Sequence, residues 1–545
     1  MGRIYALIAW AFGLSGCLYN TTYQPYGMNA VVPANQTFIP QSGSIQAPIA
    51  TAPPINSSPQ LAITSSPLIN QNGTTLVSSN IISEPSVVTN TARNSGNQPD
   101  LRHIYGRTAQ SDDRDRNPVI VIPGVLGSRL IDQNSQQVVW GQFGGDGIDP
   151  MSPWGARMIA LPMNQGQTLK NLTDAVKPAG TLDALDVQFL GVPFQINAYR
   201  DLLNALGVGG YRDTQTQLDN FDYGNQSYNS FQFSYDWRRD NVENARLLHR
   251  FILEKKSYVE GERRSRYGND VPPVRFDIVA HSMGGLVARY YLEYGDTDLP
   301  EDGSTPKVTW AGTENVERLV MIGTPNAGAL DTIANFVQGE TLSRFLPRYE
   351  AAILGTMPSL YQLLPRSRQN PVIAEGDRKA VDIMDPRTWA QFRWGLIDPR
   401  QHVVLQELLP EVADPNERLK IAYDHLTKCL ARARAFHAAM DAPATPPSGT
   451  TIHLIAGDAH PTVAQFRVDN RGVLTVTAMQ PGDGRVTRSS ALLDERYSSG
   501  TKWTPRLNSP IKWSSVNFLF ADHLGLTSDP GFVDNILFLL LESPN

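Results

Sequence analysis

Ser282, Asp483 and His523 have the residue types, and the order along the chain, that nucleophilic acyl chemistry needs. A serine hydroxyl is a poor nucleophile at its free pKa. It needs a base within hydrogen-bond reach and a third group to hold that base. On this reading His523 takes the Ser282 proton and later delivers it to the leaving group. Asp483, in the tight loop Gly482-Asp483-Gly484, orients His523 and offsets its charge. Rivals stand beside two of the three. Asp458 also follows an expected strand, and the order admits it as the acid. His460 and His453 compete for the base. Asp522 adjoins His523 and is expected to point elsewhere. His281 adjoins Ser282, and neighbouring side chains on a sharp turn diverge, so it is expected to pack or line the pocket.

The elements around Ser282 suit that role. Residues 274–280 are an apolar run rich in β-branched types, and Leu286, Arg289 and Tyr290 recur at helical spacing. Between them lies Ala280-His281-Ser282-Met283-Gly284-Gly285. A strand, a sharp turn and a helix force the serine into a sparsely populated conformation, so positions 280 and 284 must be small. The Met283 N–H, at the helix start, is left to face a reacting oxygen. Residues 118–128 form a second buried strand ending in Pro123-Gly124-Val125-Leu126-Gly127. That loop can supply another oxyanion donor, from Val125 or Leu126.

Further strands are expected at 231–235, 316–322, 452–455 and 516–520. A helix capped by Asp240 is expected to run to about 256, and a last apolar helix spans about 530–541. Alternating strands and helices predict a mostly parallel sheet with helices on both faces. Two stretches break the alternation. Residues 131–230 are loop-rich and read as a lid insertion. Residues 329–442 are helical in pattern and read as a cap insertion. Residues 466–468 and 473–476 read as a hairpin across Asp469-Asn470-Arg471-Gly472.

The N-terminus is different in kind. Residues 1–17 have a basic Arg3, an apolar run and small residues before Cys17, the pattern of a signal segment. Leu14-Ser15-Gly16-Cys17 resembles the bacterial lipobox, which implies a lipidated Cys17. Leu18 after it points to an outer membrane of the cell envelope. Residues 18–116 carry few charges, with none between Arg3 and Glu84, and read as a disordered tether. Residues 117–545 then form the catalytic domain. Net charge is −6 with 18 % charged residues, which gives no sign of nucleic-acid binding. The two cysteines, Cys17 and Cys429, do not point to a disulfide framework. Neither a metal cluster nor a cofactor loop is expected, and the sequence leaves protein partners open.

On these motifs the chain resembles the lecithin:cholesterol acyltransferase family. The matching pieces are Ile122-Pro123-Gly124-Val125-Leu126-Gly127-Ser128, Phe233-Ser234-Tyr235-Asp236-Trp237-Arg238, the Ser282 motif, Ile322-Gly323-Thr324-Pro325-Asn326-Ala327-Gly328, residues 358–365, Gly482-Asp483-Gly484-Arg485-Val486 and His523. The resemblance implies an α/β-hydrolase fold with lid and cap. It implies an acyl group taken from a membrane lipid ester onto Ser282 and passed to a hydroxyl acceptor or water. It favours Asp483 over Asp458, and Leu126 over Val125 as the donor beside Met283. A carboxylesterase without transferase activity, or a non-catalytic envelope lipoprotein of this fold, would share most of these features.

Overall fold

The computed structural model describes residues 101–109, 114–143, 147–182, 184–189, 192–197, 199–213, 227–341, 347–376, 378–494 and 508–542. The chain divides into two compact units, residues 1–16 with 87–545 and residues 17–86, and only the first contains described residues. Cys17, its signal segment and most of the expected tether therefore lie outside them.

Six strands make the central sheet: β1 (Val119–Ile122), β2 (Ser230–Gln232), β3 (Phe276–His281), β4 (Val316–Ile322), β5 (Thr451–Gly457) and β6 (Ser515–Leu519). Their spatial order is β6-β5-β4-β3-β1-β2, and every pairing is parallel. Ile120 sits opposite Phe231 on one side and Ile278 on the other. A parallel strand covered on both faces has no polar side, so β1 reads Val-Ile-Val-Ile and β3 is buried at all six positions.

The helices that cover it are α1 (Leu101–Ala109), α2 (Arg200–Val208), α3 (Asn241–Tyr267), α4 (Met283–Tyr294), α5 (Pro415–Met440) and α6 (Pro530–Leu541). Period-two alternation sends β1 side chains into two cores. Ile120 and Ile122 join Leu248 of α3, Leu286 of α4 and Leu430 of α5. Val119 and Val121 join Tyr105 of α1, Leu206 of α2 and Ile536 of α6. This is the α/β-hydrolase architecture.

Some boundaries differ from expectation. The tether expected through residue 116 contains α1, whose Tyr105 is buried and donates to Glu542 Oε1 at 2.7 Å. That contact docks the segment against the end of α6. Helix α3 runs a further three turns past 256 because Val259 and Arg263 are still buried. The stretch 131–230 is not merely loop. Ser128–Asp132, Val138–Trp140 and Val176–Thr181 form an antiparallel three-stranded sheet.

Within 329–442, α5 is tied to the sheet domain by Arg432, which bonds Asp240 Oδ2 at 2.7 Å and Asp298 Oδ1 at 2.6 Å. The helix Pro358–Gln362 is caught between the two parts. Its Gln362 side chain accepts from the Asn241 N–H at 2.9 Å, and its carbonyl accepts from His437 Nε2 of α5 at 3.0 Å. Strand Val372–Ala374 joins the hairpin strands His460–Val468 and Leu474–Gly482 in a small sheet.

Helix α5 also carries His425, buried, with Nε2–H donated to the Thr356 carbonyl at 3.0 Å. Burial lowers its pKa from 6.5 to about 4. Between those values the unfolded chain binds the proton and the folded chain does not. Stability therefore falls as pH falls through that window, by up to about 1.4 kcal/mol per pH unit for the one group. His425→Gln should show a shallower acid loss of unfolding free energy between pH 7 and 5, measured by denaturant titration. Equal slopes in the two proteins would contradict it.

Candidate active site

Ser282 stands between β3 and α4 with φ 52° and ψ −125°. A non-glycine residue at positive φ costs on the order of 1–3 kcal/mol, and such strain persists only where the surroundings impose it. Here the Ser282 N–H is held by the Ile322 carbonyl at 2.7 Å. The turn is tight enough to exclude side chains nearby. A Cβ at Gly284 would fall inside contact with the Pro123 carbonyl oxygen and 2.8 Å from that of Ile122. A Cβ at Gly124 would lie 2.8 Å from the Ser282 Cβ. The loop after β1 therefore lies directly against the serine.

His523 lies in the turn after β6, and its Nε2 is 3.0 Å from Ser282 Oγ. Its Nδ1 is 2.8 Å from Asp483 Oδ2. A carboxylate only accepts, so Nδ1 carries the proton and the Nε2 lone pair faces the serine hydroxyl. Asp483 Oδ1 accepts from the backbone N–H groups of Arg485 at 3.0 Å and Val486 at 2.7 Å. Burial works against its ionisation. The charge and hydrogen bond of His523, with those two N–H groups, outweigh it and hold the carboxyl below its usual range. The Arg485 side chain reaches Asp331 at 3.2 Å and pins the loop.

Asp483 reaches the site by an indirect route. Strand β5 ends at Gly457, the hairpin intervenes, and the chain returns so that Asp483 Cβ lies 2.8 Å from where a Gly457 Cβ would be. Asp458, first after β5, instead pairs with Arg488 at 2.8 Å. His453 bonds Ser515 Oγ at 2.8 Å within the sheet. His460 opens the hairpin, with its ring 6.4 Å from that of Phe520. Asp522 is exposed and accepts from the Gly525 N–H at 2.7 Å. The structure thus brings Ser282, Asp483 and His523 together and leaves these alternatives apart.

Of the expected oxyanion donors, Met283 begins α4. Leu126 has φ 64°, a strained conformation that a leucine adopts only when held. Buried aromatic donors hold its loop. Trp140 Nε1 donates to the Leu126 carbonyl at 2.7 Å, and Tyr235 OH to the Pro123 carbonyl at 3.0 Å. Tyr199 OH accepts from the Gly124 N–H at 2.8 Å. None of these three is a site residue on the sequence alone. Tyr199 carries no motif that would have marked it. Tyr235 lies in the family-like segment 233–238 and Trp140 in the expected lid, neither with a role that the sequence assigns.

The lecithin:cholesterol acyltransferase family model matches residues 199–391. This part of the chain is similar to that family. The family segment begins at Tyr199 and takes in Ser282, residues 236–238, 323–328 and 358–365, while Leu126, Asp483 and His523 lie outside it. No curated protein matches the chain. Among solved structures, the crystal structure of the Tle4–Tli4 complex is similar at 16 % identity, covering 78 % of this chain and 98 % of that one with a TM-score of 0.47. Lipase 1 from Pelosinus fermentans is similar at 13 % identity, 79 % and 99 % coverage and a TM-score of 0.31. Phospholipase PlaB from Legionella pneumophila is similar at 10 % identity, 64 % and 56 % coverage and 0.28. The match supports an enzyme of lipid-ester acyl hydrolysis or transfer. Among the described residues no helix is long and apolar enough to cross a membrane.

Proposed function

We propose that the chain is a serine-dependent O-acyltransferase and phospholipase that moves an acyl group through an acyl-Ser282 intermediate. The observation that carries this reading is the line Ser282 Oγ, His523, Asp483, with contacts of 3.0 and 2.8 Å. In the first step His523 Nε2 takes the Ser282 proton as Oγ attacks the ester carbonyl. The oxygen anion so formed is met by the Leu126 and Met283 N–H groups. The intermediate collapses, the ester C–O bond breaks, and His523 returns its proton to the departing lysolipid oxygen. In the second step His523 takes a proton from an acceptor alcohol or water, which attacks the acyl-serine. Oγ leaves and regains the proton.

A lipid substrate is supported by the surface around the base. Phe520 and Leu524, on either side of His523 in sequence, are 85 % and 68 % exposed. Large apolar side chains left in water beside a reacting group are suited to meet acyl chains. The proposal extends to the N-terminus, where a lipidated Cys17 would hold the enzyme at an outer membrane.

The test offers the full chain phospholipid vesicles with a long-chain alcohol. Lysophospholipid should appear together with fatty ester, and the ester share should rise with alcohol concentration. Free fatty acid as the sole acyl product at every alcohol concentration would sink the transferase half. Cleavage of short soluble esters with vesicles untouched would point to a carboxylesterase.

A further inference from the structure

His281 is buried beside Ser282, and two contacts define its protonation. Its Nδ1 is 3.0 Å from Tyr199 OH, and its Nε2 is 3.1 Å from the His523 carbonyl oxygen. The Tyr199 hydroxyl already accepts from the Gly124 N–H, so its own proton goes to Nδ1. A carbonyl only accepts, so Nε2 carries the ring proton. The result is an unbroken line of donors: Gly124 N–H to Tyr199 OH, Tyr199 O–H to His281 Nδ1, His281 Nε2–H to the His523 carbonyl. The rings touch along it, Tyr199 meeting His281 edge-on with centroids 5.6 Å apart and His281 lying tilted against His523 at 4.9 Å.

The line joins two parts that the sheet does not join. The oxyanion loop leaves β1, next to β3. His523 leaves β6, with β4 and β5 between it and β3. Backbone pairing therefore gives no direct tie between the loop that would hold the oxyanion and the residue that would move the proton. Both must face one carbonyl carbon at Ser282, and small displacements there are costly.

We infer that Tyr199 and His281 are positioning residues, a side-chain strut that keeps the Gly124–Leu126 loop and the His523 backbone at a fixed separation across Ser282. The strut rests on the serine acyl-transfer reading of the same site. Burial also keeps His281 neutral, pushing its pKa down to about 3, so the line keeps its polarity at ordinary pH.

The experiment uses the full chain with a short p-nitrophenyl ester, fluorophosphonate labelling and thermal melting. Tyr199→Phe removes one oxygen and breaks the line at both ends. Its kcat should fall about 10- to 100-fold with KM nearly unchanged, and labelling should slow with it, while the protein still melts cooperatively above the assay temperature. His281→Gln keeps an N–H for the His523 carbonyl and should retain much more kcat than His281→Leu, which keeps bulk and loses both bonds. Wild-type kcat in Tyr199→Phe overturns the strut, as does equal loss in His281→Gln and His281→Leu. So does a loss that only tracks the fraction unfolded. If wild type itself neither cleaves the ester nor labels, the serine reading falls and the strut with it.

Discussion

Ser282→Ala is expected to lose about 10⁶-fold in turnover of phospholipid and of short esters alike. The magnitude follows from the chemistry. Without Oγ there is no atom to carry the acyl group, and the 2.8 Å bond between His523 and Asp483 then orients a base with nothing to deprotonate. What survives is the modest catalysis that oxyanion donors and binding give on their own. The fold should survive too. Alanine can occupy the same turn, and the Ile322 carbonyl still receives the N–H of residue 282. Asp483→Asn should fall by about 10⁴, because an amide offers His523 the wrong partner at Nδ1. Asp458→Asn should stay near wild type, since its partner is Arg488. Steady-state kinetics with fluorophosphonate labelling checks the series. Turnover and labelling that persist in Ser282→Ala would place the nucleophile elsewhere.

The second large effect is on stability. Arg238→Ala should cost about 3–5 kcal/mol of unfolding free energy, the usual result of stripping one partner from a buried ion pair. The Arg238 side chain is fully buried. It bonds Asp236 Oδ2 and Asp174 Oδ2, each at 2.7 Å, and donates to the carbonyls of Met158 and Ile159 at 3.2 and 3.3 Å. Its removal leaves the Asp236 carboxylate, 3 % exposed, without its counter-charge and leaves the end of a helix unsatisfied. A domain is stable by only about 5–15 kcal/mol, so the variant should unfold at clearly lower urea and accumulate poorly. Arg238→Lys should recover little, because an ammonium cannot span the same set of acceptors. An unfolding free energy within about 1 kcal/mol of wild type, well below the buried-pair cost, would defeat the argument.

Local chemistry was legible in the sequence where it depends on near neighbours. The turn at Ser282 could be read because strand, small residues and helix follow one another within 274–291. Strand β4 and helix α6 have the ends expected of them, Val316–Ile322 and Pro530–Leu541. Contacts made across the fold were not legible. Asp483 and Asp458 both follow the right strand in order; the family resemblance favours Asp483, and the hairpin's return is what carries it to His523. Tyr199 meets Gly124 and His281 through one hydroxyl, and a single oxygen leaves no periodicity. The strands within 131–230 are short and interrupted by glycine, proline and glutamine, so their alternation was too weak to read. Helix α1 has Leu101, Ile104 and Tyr105 at helical spacing, but over only nine residues, and its place comes from Tyr105 meeting Glu542.

The spread of the site along the chain bears on how the molecule comes into being. The participants run from Gly124 to His523, and strands that end up side by side, such as β1 and β2 or β4 and β5, are joined by long crossovers. Contacts so distant in sequence make folding slow, because loop closure precedes any reward from pairing. Ser282 enters its strained turn only when β3 and β4 have met, and it gains its base only when β6 has joined the edge. A partly folded chain therefore holds a serine with no partner. A site assembled this way stays chemically silent until its last strand is in place.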